Sequence, residues 1–226
     1  EFMFVDTKQY DVIVIGAGHA GCEAALAAAR MGVETLVITI AKDKIAHMPC
    51  NPAIGGLAKG HLVKEMDALG GEMGKAADAT GIQFRVLNRS KGPATRGTRC
   101  QSDMHEYSLY MQKVLQQQAR LTVIEAMVDS LLFSGSQVVG VVAGKIEYFA
   151  KAVVVTTGTF LNGLIHRGEQ RIEAGRHGEP ASKQLTLSLA GKNLRTGRLK
   201  TGTPARLDKH TIDWSQTTAQ WGDEPT

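Results

Sequence analysis

Cysteine is scarce: the 226-residue chain has three, an odd number, with no Cys-x-x-Cys spacing. That argues against a disulfide framework and a structural zinc site, and points to a reducing compartment, the cytoplasm or an organelle matrix. Aromatic residues make up 5%, too few for a stacking platform of the RNA-recognition-motif kind. No apolar run reaches the roughly 20 residues a membrane span needs, because charge or glycine interrupts every candidate. The seven histidines show no metal spacing, no Ser/His/Asp arrangement is legible, and there is no internal repeat or low-complexity tract. The N-terminus, Glu1-Phe2-Met3, lacks a basic segment followed by an apolar one. It therefore reads as no secretory signal, with Glu1-Phe2 expected to be a cloning remnant.

What is present describes a globular chain. Hydrophobic residues are 43% and charged residues 21%, near the globular average, and the length predicts one large domain or one and a half. Twenty-six Lys+Arg against 22 Asp+Glu give a net charge of +4 and a pI near 9.0. The total matters less than its distribution. From Ala79 to Ser102 no acidic residue occurs, while Arg85, Arg89, Lys91, Arg96 and Arg99 do. A second cluster holds Lys192, Arg195, Arg198, Lys200, Arg206 and Lys209. Such clusters attract polyanions; they are equally the mark of two solvated faces.

Tyr10 to Ile15 is a β-branched run of the buried parallel-strand type. An Ala/Leu-rich helix over Ala20–Arg30 and a second strand over Thr35–Ile40 complete a βαβ unit. The spacing then predicts a loop over 45–56, a helix over Leu57–Leu69 with Leu62, Met66 and Leu69 near one face, and irregular chain over 81–102. A long helix from about Asp103 to Arg120 follows, with Asp103 as N-cap. Short strands over Leu121–Glu125, Val128–Phe133, Val138–Val142 and Ile146–Phe149 come next, then a buried strand running into Gly158, and a helical stretch near Ser182–Ala190.

Gly16, Ala17, Gly18, His19, Ala20 and Gly21 form a GxGxxG placed directly after a strand and opening a helix, as a dinucleotide site requires. Gly16 permits the turn, Gly18 lets backbone approach a pyrophosphate, and Gly21 allows close helix–strand packing; the helix N-terminus supplies N–H groups. A ligand-free glycine turn is the alternative. The acidic residue that usually receives the ribose is missing: the corresponding position is Thr39. The late strand ending at Thr156-Thr157-Gly158, after short antiparallel strands, favours FAD over NAD. In Met48-Pro-Cys50-Asn-Pro-Ala-Ile-Gly-Gly56, Cys50 precedes a helix and Lys59. It is either a reactive thiol or a structural cysteine. Cys22 reads as core, and Cys100 is open.

Several strings then carry a resemblance. Gly16-Ala-Gly-His-Ala-Gly-Cys-Glu-Ala-Ala25, Cys50-Asn-Pro-Ala-Ile-Gly-Gly56, Asp67-Ala-Leu-Gly-Gly71, Gly81-Ile-Gln-Phe84, Gly158-Thr-Phe-Leu161 and Leu199-Lys-Thr-Gly-Thr-Pro204 are similar to the GidA/MnmG family over nearly all of residues 10–213. These are FAD-containing tRNA uridine 5-carboxymethylaminomethyl modification enzymes. The resemblance implies an α/β fold: a Rossmann-like FAD-binding domain with a mainly parallel sheet and an antiparallel β insertion over residues 3–200, and a truncated second, NAD-binding domain from 201 to 226. It implies FAD contacts at residues 16–21, Val128 and Ser182, with Gly158 on the returning strand and Thr39 standing in for the acid. Cys50 matches a cysteine the family needs. NADH and methylene-tetrahydrofolate are implied as further cofactors, and tRNA, the GTPase MnmE and a second copy in a homodimer as partners. Arg85, Arg89, Lys91, Arg96, Arg99, Arg198 and Lys200 are the candidate tRNA contacts. The family's chain is much longer, so this piece alone is expected to lack catalysis and to hold FAD weakly. The rival expectations are a folate- and FAD-dependent tRNA uridine methyltransferase, a flavin oxidoreductase of small molecules, and a non-catalytic module binding RNA or a partner.

Overall fold

The computed structural model describes residues 3–192 and 194–224; the reading of Glu1-Phe2 lies outside them. In chain order the elements are β1 (Phe4–Ile15), α1 (His19–Arg30), β2 (Thr35–Thr39), β3 (Ala53–Gly55), α2 (Lys59–Ala68), α3 (Met73–Thr80), β4 (Gly81–Leu87), β5 (Gly97–Ser102) and α4 (Met104–Gln117). Then follow β6 (Leu121–Glu125), β7 (Val128–Ser134), β8 (Gln137–Ala143), β9 (Ile146–Val155), β10 (Ile165–Arg167), β11 (Gln170–Ile172), β12 (Ala174–Arg176), β13 (Glu179–Pro180) and α5 (Gln184–Ala190). The chain folds as two compact units, Glu1–Ala46 with Met111–Gly197, and His47–Tyr110 with Arg198–Thr226.

The first unit is built on a six-stranded sheet in the order β6-β2-β1-β9-β8-β7. β6, β2, β1 and β9 run parallel, and β7 and β8 are added antiparallel. This is the mainly parallel Rossmann-like sheet with an antiparallel insertion. The two strands expected around 146–158 are one, β9, which lies beside β1 along its length and whose first half also pairs with β8. Alternation divides the strands between two faces. Ile13, Ile15, Leu36 and Ile38 join Val128, Val141, Leu185 and Leu189 in one core cluster. Val14 and Val37 are buried on the opposite face, where α1 lies against β1 and β2 through Cys22, Ala25, Leu26 and Ala29. Small side chains let α1 approach closely.

The second unit contains a three-stranded sheet, β3-β5-β4, with antiparallel pairing throughout. This corrects two expectations: β3 lies in the predicted loop, and β4 and β5 occupy the stretch read as irregular. Gly81, Gly97 and the basic residues hid the strands, whose alternation is weak. The helix predicted over Leu57–Leu69 is shorter, and its apolar face is not the buried one. Leu62 is 62% and Leu69 91% exposed, whereas Gly60 is the residue α2 buries. A Cβ on Gly60 would lie 2.8 Å from the Thr98 carbonyl oxygen, so the helix docks through a glycine. α3 was not anticipated. Asp103 does cap α4, its Oδ1 accepting from the amides of His105 at 2.8 Å and Glu106 at 3.0 Å.

Candidate functional site

The parallel strands align Ile15 with Ile38 on one side and Val155 on the other. Gly16, Thr39 and Thr156 therefore stand together at the carboxyl end of the sheet, where α/β proteins hold ligands. Gly16 takes a φ of +95° and its amide donates to the Ile38 carbonyl at 2.8 Å. A Cβ there would meet the Thr156 carbonyl oxygen at 2.6 Å. One on Gly21 would meet the Gly16 oxygen at 1.9 Å and Thr156 Oγ1 at 2.7 Å. A Cβ on Gly18 would meet nothing within 4 Å. Two glycines are thus required by packing inside the chain, and the third leaves open space.

That space faces the start of α1. Gly18 is the N-cap and offers no side-chain cap, and no acidic residue sits in the first turn. The leading N–H groups and the positive end of the helix dipole suit an anion. Burial holds the His19 imidazole below its usual pKa, so it is neutral at physiological pH. Ala17 is buried and its carbonyl accepts from the amide of Ala46 at 2.9 Å; Ala20 is exposed. Gly158 has a φ of +54° with open space where a Cβ would be.

Thr39 is buried, and its hydroxyl donates to the Ala41 carbonyl at 3.4 Å. Val128 opens β7 inside the core cluster. Ser182 is buried; its amide donates to the Phe160 carbonyl at 2.8 Å and its own carbonyl accepts from the Thr186 hydroxyl at 2.9 Å.

The second unit holds Cys50. Its thiol is half-buried and donates to the Gly202 carbonyl at 3.8 Å. Arg206 Nη2 donates to the carbonyls of Pro49 at 2.6 Å and Cys50 at 2.9 Å. The strings 50–56 and 199–204, far apart in sequence, are thereby brought together. The other two thiols are sequestered. Burial pushes the Cys22 thiol up to about 12, and it donates to the Ala17 carbonyl at 3.4 Å. Burial also raises the Cys100 pKa, with Sγ directed at the Ala77 carbonyl at 3.4 Å. Cys50 is the one of the three that a reagent or substrate can approach.

The basic candidates differ in their surroundings. Arg89 forms an ion pair with Asp223 at 2.6 Å and Arg85 donates to Gln220 at 3.0 Å. Asp223 Oδ2 also accepts the Val86 amide at 2.6 Å, so residues 220–223 run along the edge of β4. Arg99 donates to Gln101 at 2.7 Å. Lys91, Arg96, Arg198 and Lys200 are exposed.

A family model described as glucose inhibited division protein A matches residues 11–226. The chain belongs to the GidA family. The tRNA uridine 5-carboxymethylaminomethyl modification enzyme MnmG of Nitratiruptor sp. is 60% identical over 217 residues, covering 96% of this chain and 35% of that protein. MnmG of Geobacter metallireducens is 57% identical over the whole chain and 36% of its own length. A crystal structure of Aquifex aeolicus GidA matches with a TM-score of 0.93 at 51% identity, covering 98% of this chain and 37% of that one. The chain thus spans about a third of the length of the relatives it matches.

Sequence reasoning singled out the glycines of this GidA-family chain but missed two residues, one in each unit, that hold the candidate groups in shape. Thr156 packs against Gly16 and Gly21, and its hydroxyl lies 2.8 Å from the Ile15 carbonyl and 3.1 Å from that of Gly16. A hydroxyl residue ending the strand beside a GxGxxG is the signal that could have found it. Arg206 was read as one charge in a basic cluster, and no local pattern links it to Pro49.

Proposed function

We propose that the chain carries the flavin-binding end of an enzyme that builds a carboxymethylaminomethyl group on C5 of the wobble uridine of tRNA. The observation that carries this reading is the run of relatives bearing that activity in their names, at up to 60% identity across almost the whole chain. The glycine loop supports it. The open ground above Gly18 and the uncapped amides of α1 fit the pyrophosphate of FAD, and Gly158 leaves room for a cofactor on the returning strand. FAD would supply redox chemistry for the transferred carbon, with NADH as hydride source and methylene-tetrahydrofolate as carbon donor.

The residue assigned to the uracil is Cys50. Uracil C5 is a poor nucleophile. Addition of a thiolate to C6 forms a C–S bond and moves the C5=C6 electron pair toward the C4 oxygen, and the resulting enolate attacks a one-carbon electrophile through C5. Loss of the C5 proton then expels the thiolate and restores the ring, so the cysteine is regenerated. Partial exposure supports Cys50 for this role, since Cys22 and Cys100 are buried. The exposed Lys91, Arg96, Arg198 and Lys200 suit the tRNA backbone, whose contacts are chiefly electrostatic. The GTPase MnmE and a second copy of the chain complete the assembly, in the cytoplasm where tRNA is modified.

In the complete enzyme, Cys50→Ser is expected to abolish wobble-uridine modification while the visible flavin absorption band stays. Normal nucleoside composition in tRNA from cells carrying only that variant would refute the assignment.

A further inference from the structure

We propose that Arg206 is a positioning residue for Cys50: its guanidinium clamps the strap of residues 198–206 across the cysteine loop and sets where the thiol points. The inference rests on the assignment of Cys50 above, but its geometry stands independently. One nitrogen, Nη2, donates to two consecutive carbonyls, those of Pro49 at 2.6 Å and Cys50 at 2.9 Å. Neighbouring carbonyls in an extended chain point to opposite sides. Here both converge on one atom, so the guanidinium fixes a bend at Pro49-Cys50. Four residues earlier on the same strap, the Gly202 carbonyl receives the Cys50 thiol.

The bend and the thiol are thus held by one short segment at two points. Hydrogen bonds from a charged donor are shorter and roughly twice as strong as neutral ones. The thiol contact at 3.8 Å is weak by comparison, since a thiol is a weak donor. The arginine is therefore what keeps the strap in place, and the Gly202 carbonyl follows it. A lysine would keep the charge, but its shorter reach and different head would not place a donor where Nη2 sits between the two oxygens.

The test uses the 226-residue chain and iodoacetamide, with each cysteine-containing peptide quantified by mass spectrometry over time. In the unsubstituted chain Cys50 reacts and Cys22 and Cys100 stay protected. Arg206→Ala is expected to raise the Cys50 alkylation rate about three- to tenfold as the strap lifts, and Arg206→Lys to give an intermediate rate. Cys22 and Cys100 should stay protected in both variants. An unchanged Cys50 rate in Arg206→Ala would overturn the proposal. So would a rate increase shared by all three cysteines, since that reports loss of the fold. In the complete enzyme the same variant should lower kcat with little change in KM for tRNA; a pure KM effect would assign Arg206 to substrate binding and overturn the positioning role. Failure of Cys50→Ser to abolish modification would remove the catalytic reading and leave the alkylation result standing, so the two failures are distinguishable.

Discussion

Replacing Gly21 by alanine tests the account of the glycine loop most directly. The added methyl would sit 1.9 Å from the Gly16 carbonyl oxygen and 2.7 Å from Thr156 Oγ1. Both neighbours are held. Gly16 is backbone between β1 and α1, and the Thr156 hydroxyl is committed to carbonyls 2.8 and 3.1 Å away. Restoring ordinary contact needs a separation of more than an ångström between helix and strand. Overpacking of this kind costs about 1–3 kcal/mol, and loosening the Thr156 hydrogen bond adds about 1 kcal/mol. A loss of about 2–4 kcal/mol corresponds to a fall in Tm of about 4–16 °C in a chain of this size. Gly18→Ala is the matched control. Its φ of −73° suits any residue and its methyl meets nothing, so its cost is that of a poorer N-cap, under about 1 kcal/mol. Thermal unfolding followed by circular dichroism should separate the two. On the proposed function, flavin retention should fall in Gly18→Ala although the fold survives. A Gly21→Ala variant as stable as Gly18→Ala would refute the packing argument.

Two further predictions rest on other parts of the fold. Folding lowers the pKa of three aspartates below the ordinary 3.8: Asp11 through the Lys151 ammonium, Asp103 through the Glu106 and His105 amides, and Asp223 through the Val86 amide and then Arg89. Their contribution is complete above the unfolded pKa and is lost as pH falls through the lower folded values. Urea midpoints should therefore fall as the pH drops below about 4, and fall less in Asp103→Asn; an acid limb identical in the variant would contradict the cap. Ala58, exposed at the start of α2 with a φ of +60°, sits in the left-handed region. Ala58→Gly should stabilise by up to about 1 kcal/mol and Ala58→Val should destabilise, as β-branched residues tolerate that region least. Equal midpoints for the two variants would overturn this.

The βαβ start was legible because its information is local. A β-branched run, three glycines and an alanine-rich helix occupy Tyr10–Arg30, and two of the glycines are required by packing. The role of Asp103 was legible for the same reason. The β3-β5-β4 sheet was not: Arg85 and Arg99 interrupt its alternation, and the strands are defined by pairing with each other. Nor was the seating of α2, because periodicity marks leucines while contact is made through Gly60. Of the candidate functional groups, the glycine loop in one unit and Cys50 in the other could be read directly. The groups that hold them could not, since Thr156 lies 140 residues from Gly16 and Arg206 lies 156 from Cys50.

The distance between Thr156 and Gly16 bears on how the chain is made. During synthesis β1, the glycine loop and α1 leave the ribosome long before β9 exists, and in that interval the Ile15 and Gly16 carbonyls lack the hydroxyl that later binds them. β2 can pair on one side of β1, but the other side stays an open edge until the returning strand arrives. The glycine loop is therefore translated well before the strand that makes it rigid. Nascent chains arrested before residue 156 emerges should show a protease-sensitive Gly16–Gly21 segment, and chains arrested after β9 has emerged should show a protected one.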